Sequence, residues 1–141
     1  KSSQHLIRTL ARAASVGANY LLNVGPTALG EILPVYAERL RAMGQWLALH
    51  GDSIYGTQAG IIPPTGDGST VSTNQDAKHY VHALQYISDC VMLREVPIDV
   101  TRATLLRDGS PLKLTIKGEN IVLTIPPHQR DTMDTVIRLE R

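Results

Sequence analysis

The chain has 141 residues with 14 Lys and Arg against 13 Asp and Glu, a formal charge of +1, and no run of like charge that would draw nucleic acid or a membrane surface by long-range attraction. Its longest apolar runs, such as Tyr20-Leu21-Leu22 and Gly60-Ile61-Ile62, fall far short of the roughly 20 residues needed to cross hydrocarbon, and no signal-like apolar block follows Lys1, so neither a membrane span nor an export signal is expected. Cys90 is the single cysteine, which excludes an internal disulfide, and five Tyr, one Trp and no Phe leave an aliphatic core with few stacking platforms for sugars or single-stranded nucleic acid.

In chain order, Leu6, Ile7, Leu10, Ala13 and Ala14 recur at three- and four-residue steps while Arg8 and Arg12 lie on another face, which predicts an amphipathic helix from about Ser3 that ends at Gly17. Tyr20-Leu21-Leu22-Asn23-Val24, bounded by Gly17 and Gly25-Pro26, is a short, nearly continuous apolar run. Such a run predicts a strand covered on both faces, as in a parallel sheet flanked by helices. A loop over 27–34 leads to a second helix, with Pro34 in its first turn and Tyr36, Leu40, Met43, Trp46 and Leu47 at helical spacing, stopped by Gly51. One parallel strand cannot make a sheet alone, so this module is expected to need strands from outside the chain.

Residues 58–70 crowd Gly60, Pro63, Pro64, Gly66 and Gly68 together and read as a linker that rests on a domain at Ile61 and Ile62. Beyond Val71 the period changes. Lys78–Leu84, Ile98–Val100, Ala103–Leu106, Pro111–Ile116, Ile121–Ile125 and Thr135–Glu140 read as strands, with turns at Arg107-Asp108-Gly109-Ser110 and Lys117-Gly118-Glu119-Asn120. They predict an antiparallel domain of two packed sheets.

The run Gly17-Ala18-Asn19-Tyr20-Leu21-Leu22-Asn23-Val24-Gly25-Pro26-Thr27, followed by Gly30, Glu38-Arg39-Leu40, Gly44-Gln45-Trp46-Leu47, Gly51 and Ile54-Tyr55-Gly56-Thr57, resembles the end of the catalytic domain of the α-L-fucosidase family of glycoside hydrolases. That family carries N-L-L-L-N-V-G-P-T-x-D-G, then E-R-L, G-x-W-L and G-E-A-I-Y-G-T. This chain keeps the spacing but has Leu29 in place of Asp and Asp52-Ser53 in place of Glu-Ala. The region after the linker is similar to the family's C-terminal β-sandwich. The resemblance implies a fold of α/β plus all-β type, the closing portion of a (β/α) TIM-like barrel followed by an antiparallel β-sandwich. The division is then 1–57 for the barrel segment, 58–70 for the linker and 71–141 for the sandwich. It also implies a retaining exo-α-L-fucosidase acting on terminal α-linked L-fucose, with its Asp nucleophile and acid/base carboxylate upstream of the matching region. No catalytic, substrate-binding or metal residue is therefore assigned within this chain, and the chain alone is expected to be inactive. The implied partners are the upstream barrel polypeptide and a fucosylated glycan. No cofactor is implied, and a secreted, periplasmic or lysosomal compartment is compatible with the family. The alternative is a non-catalytic carbohydrate-binding or structural sandwich module.

The residues that could carry chemistry have plainer readings beside the functional ones. Asn23, Gly25, Pro26 and Thr27 sit at the expected end of a barrel strand, where barrels place active sites, and either floor a pocket or tie loops together. No acid, base or aromatic platform accompanies them, which favours the tie. Glu31 is the nearest carboxylate, but Glu38 lies down the helix and Asp52 beyond its far end, too distant for the roughly 5 Å pair of a retaining hydrolase; a favourable charge ahead of a helix N-terminus explains Glu31 more simply. His79 and His82 have a metal-ligand spacing on a helix, but on a strand they point to opposite faces. His50 reads as a polar cap at its helix end, while His5 and His128 have no companion ligands. Cys90 reads as a buried small hydrophobe or inert thiol, and Trp46 as helix packing against the barrel rather than a sugar platform. Tyr80 and Tyr86 share a face only within one uninterrupted strand. Gly25–Gly30 lacks both phosphate-loop patterns, and Pro26 removes a backbone donor, so no nucleotide is implied.

Overall fold

The computed structural model describes residues 1–141 as two helices and eight strands in three layers. Helix α1 (Ser3–Ser15) begins where the Ser2 side chain accepts the His5 amide, and buries Leu6, Ile7 and Ala11. It ends with Gly17 at φ +70° and the Ala18 amide bonded back to the Ala13 carbonyl, a left-handed cap suited to glycine. Helix α2 (Pro34–His50) opens with proline in its first turn and buries Met43, Trp46 and His50.

The strands are β1 (Gln58–Ala59), β2 (Thr70–Gln75), β3 (Lys78–Ala83), β4 (Cys90–Leu93), β5 (Arg102–Leu105), β6 (Lys113–Lys117), β7 (Asn120–Thr124) and β8 (Thr135–Glu140). They form a five-stranded sheet in the order β1-β2-β3-β8-β5 and a three-stranded sheet in the order β4-β7-β6, paired antiparallel throughout. Period-two alternation gives the larger sheet two covered faces. Val81, Ala83, Ile137 and Leu139 meet Val91, Leu93, Ile121 and Leu123 of the smaller sheet in the main core. On the opposite face Tyr80 and Val136 meet Leu6, Ile7, Met43 and Trp46 of the helices in a second, smaller core.

Several expectations change. No closed barrel is present, and Tyr20–Val24 joins no ladder. Its exposure alternates instead: Tyr20 and Leu22 pack against the small core, whereas Leu21 stays 92% exposed. A strand is defined by lateral hydrogen bonds, and nothing in this chain supplies a neighbour on either edge. Ile98–Val100 is also not a strand, because pairing with β8 starts only where the Thr101 amide reaches the Glu140 carbonyl. Within residues 58–70, β1 pairs with β2, and Ile62 rather than Ile61 enters the main core.

Gly60 follows β1 and lies directly against β2. A Cβ there would fall 2.1 Å from both the carbonyl oxygen and the hydroxyl of Ser72, and the Gly60 amide donates to the Ser15 carbonyl at the end of α1. Gly60→Ala is expected to lower stability by about 2 kcal/mol or more, through a clash with backbone that cannot rotate away. A urea midpoint equal to that of the unchanged protein would contradict this packing.

Candidate functional site

The turn that follows the extended segment is built by Thr27. Its amide donates to the Glu31 carbonyl at 2.8 Å, its carbonyl accepts the Gly30 amide at 2.9 Å, and its hydroxyl accepts the Glu31 amide at 3.2 Å. Gly30 closes the turn at φ +79°, a conformation that favours glycine. Asn23 is exposed beside Leu22 and Val24, which with Lys1, Leu6, Tyr36, Arg39 and Leu40 line a cavity of about 160 Å³. Leu21, Leu29, Ile32 and Leu33, near these residues in sequence, are also exposed.

The carboxylates do not converge on this turn. Glu31 contributes its backbone to the turn and lies two residues ahead of Leu33, which offers no side-chain cap to α2, and the first turn of that helix holds no acidic residue. Asp52 lies in the 3-10 turn Gly51–Ser53, beyond the full 17-residue length of α2, roughly 25 Å of helix.

A second polar constellation, unforeseen from the sequence, lies where the helices meet the larger sheet. His82 on β3 donates from Nδ1 to Asp134 Oδ2 at 2.7 Å, with both side chains fully buried. Trp46 Nε1 donates to the Asp134 carbonyl at 3.2 Å. The Trp46 ring stacks on His50 at 4.8 Å between centroids and tilts against His82 at 6.4 Å. The His50 ring nitrogen Nδ1 lies 3.0 Å from the Trp46 carbonyl, to which its N–H donates. That carbonyl is one turn back along α2, so the imidazole does bond the last turn, but from a buried position rather than as a solvated cap. From α1, Arg8 Nε donates to the Met133 carbonyl at 3.0 Å, and Gln4 donates to the Thr132 carbonyl. The loop ahead of β8 is thereby held by both helices, and burial lowers the His50 pKa from its ordinary value.

The remaining candidates are scattered. His79 and His82 occupy opposite faces of β3, as strand geometry requires, and no group of three or more His, Cys, Asp or Glu could hold a metal. His5 is in the first turn of α1, and His128 is exposed in the 3-10 turn Pro127–Gln129. Cys90 is exposed, not buried: β4 is an edge strand, Val91 and Leu93 take the inward positions, and Cys90 faces out. Trp46 packs against α1 and the larger sheet of this chain, so its burial does not wait on a barrel. Tyr80 is buried within β3. Tyr86 lies beyond that strand with the Arg130 guanidinium 4.1 Å over its ring, so the two tyrosines form no sugar-binding strip.

Comparison with known proteins follows this geometry closely. The α-L-fucosidase family profile matches residues 1–52. Human plasma α-L-fucosidase is 46% identical over 132 residues, covering 87% of this chain and 28% of the relative. The α-L-fucosidase of Branchiostoma floridae is 34% identical over 125 residues, covering 86% of this chain and 28% of the relative. Among solved structures, α-L-fucosidase isoenzyme 1 from Paenibacillus thiaminolyticus superposes with a TM-score of 0.88 at 31% identity, over 99% of this chain and 34% of that one. The Thermotoga maritima α-fucosidase in complex with fucose gives 0.84 at 28% identity, again over 99% of this chain and 34% of that one. The chain thus spans between a quarter and about a third of the proteins it matches. No helix is long and apolar enough to cross a membrane.

The buried pair generates a stability prediction. Asp134→Ala leaves the His82 imidazole unpaired in the small core and is expected to cost about 3–5 kcal/mol. Asp99→Ala removes only an exposed contact with Arg141 and should leave the urea midpoint unmoved. Equal effects from the two substitutions would show that the buried pair carries no special weight.

Proposed function

We propose, from the chain's strong resemblance to the α-L-fucosidase family of glycoside hydrolases, that it is the C-terminal portion of a retaining exo-α-L-fucosidase that removes terminal α-linked L-fucose from glycans or glycoconjugates. The observation that carries this reading is the continuity of the likeness. It runs through the helix, extended segment and helix, across the joint, and through both sheets, over 99% of the chain. A free-standing sugar-binding sandwich would not account for the Asn23–Thr27 stretch or for the motif residues on α2.

On this reading the nucleophile and the acid/base carboxylate belong to an upstream barrel polypeptide, and residues 1–57, 58–70 and 71–141 divide as barrel segment, linker and sandwich. The Tyr20–Val24 segment supplies a barrel strand, and its open edges are where neighbouring strands would add. This chain's own part is positional: it presents the Asn23–Thr27 stretch at a strand end and braces that strand from behind with α1 and α2. The relatives named plasma and tissue α-L-fucosidases favour a secreted or lysosomal setting, with a periplasmic one compatible with the bacterial likenesses.

The test is turnover of an aryl α-L-fucoside by the complete polypeptide beside this chain alone. The complete protein is expected to release fucose, first as the α anomer, and this chain to release none. Activity of the chain alone would overturn the placement of the carboxylates, and initial release of the β anomer would overturn retention.

A further inference from the structure

We propose that buried His50, His82 and Asp134, with the half-buried Asp131 beside them, form an acid-sensitive latch that fastens helix α2 to the five-stranded sheet. The geometry has three parts. His82 on β3 and Asp134 ahead of β8 form a fully buried pair at 2.7 Å on the helix-facing side of the sheet. Trp46 of α2 is bonded to the Asp134 carbonyl and lies between the two imidazoles, stacked on His50 and tilted against His82. The second nitrogen of His82 and the second oxygen of Asp134 have no partner, so no further hydrogen bond from these two atoms ties the pair to the rest of the joint.

His50 is the member whose charge changes the balance. Facing it are Asp131 and Asp134 from the loop before β8 and His82 from β3. The other charged group on this joint is Arg8 of α1, engaged with the Met133 carbonyl, while Asp52 lies toward Tyr80. Loss of hydration disfavours a cationic His50 most, and His82 adds to it; the hydrogen bond to the Trp46 carbonyl and the two aspartates favour the cation but are outweighed, and the pKa stays below 6.5. The sign follows. The closed latch prefers neutral His50, so its contribution is complete above pH 6.5 and is lost as pH falls through the lowered pKa of the closed state. When α2 lifts, Tyr20 and Leu22 lose their seat in the same small core, so acid would loosen the extended segment along with the helix. The latch does not depend on which reaction the complete protein catalyses.

The experiment is hydrogen exchange of the complete protein at pH 7 and pH 5, corrected for intrinsic rates and read peptide by peptide. Protection of α2 is expected to fall about tenfold, and by no more than roughly 25-fold, the limit between pH 7 and pH 5 for an open-state imidazole of pKa 6.5. Strands β6 and β7, in the other sheet, should hold their protection. His50→Gln and His50→Phe, the second keeping a ring against Trp46, should abolish the difference between the two pH values in α2. An unchanged acid response in either folded variant, no response in the unchanged protein, or equal loosening of β6 and β7 overturns the proposal. NMR titration of histidine in the unchanged protein is independent of variant folding: His50 titrating below 6.5 supports the latch, and at or above 6.5 overturns it.

Discussion

The larger sheet is covered on both faces, and most of the molecule follows from that. Strands β3 and β8 must each satisfy two cores with alternate residues, so a shift of one residue in their register would drive Tyr80 and His82 into the main core and Val81 and Ala83 toward the helices. Polar groups on the covered parts of the sheet are cut off from water, so internal partners stabilise them there, while Arg102, Arg138 and Glu140 stay partly exposed. Ser72 gives its hydroxyl proton to the Ile62 carbonyl, Thr73 to the Ser53 carbonyl, and His82 pairs with Asp134. These bonds bind the joint segments and the helix layer to the sheet, where apolar contact alone would let layers slide.

How much of this was legible in the sequence depended on whether local pattern or distant partners decided each element. Both helices have a 3.6-residue apolar stripe and recognisable termini, and their structure follows. Strands β3 and β5 to β8 announce themselves through β-branched residues or alternation and through turns such as Gly118, at φ +63°. Strand β2, Thr-Val-Ser-Thr-Asn-Gln, was hidden because its buried positions are hydroxyl side chains whose partners lie far along the chain. Strand β4 is short and follows the Ile87–Asp89 loop, with little alternation to mark it. Tyr20–Val24 misled in the opposite direction. A continuous apolar run encodes a preference for burial on two sides, but the second side and the lateral bonds must come from other strands.

The functional residues divide the same way. The Asn23–Thr27 stretch was visible because its glycine and proline spacing is local and matches a family pattern. The joint was not: His82 and Asp134 are 52 positions apart, as the numbering of the bonded pair shows, and no spacing rule links a histidine within one strand to an aspartate just before another. A partial signal existed in Trp46, the single tryptophan, whose indole N–H needs an acceptor when buried. Its acceptor turned out to be the carbonyl of Asp134.

Helix α2 joins the two halves of this picture, because its apolar stripe is longer than the surface that covers it. Along one face Tyr36, Leu40, Met43, Leu47 and His50 run in helical succession. The later part, Met43 with Trp46 and His50, is buried against α1 and the sheet, whereas Tyr36 and Leu40 stay exposed beside Leu22 and Val24 at the edge of the small cavity. Leaving such a stripe in water costs on the order of 1.5–3 kcal/mol for each large side chain that could otherwise be buried. Leu33, Ile32 and Leu29 ahead of the helix and Leu21 in the extended segment add further exposed apolar surface. On the proposed reading that surface is the contact with the rest of a barrel. One rigid helix then meets the barrel through its first two turns and the sandwich through its last two.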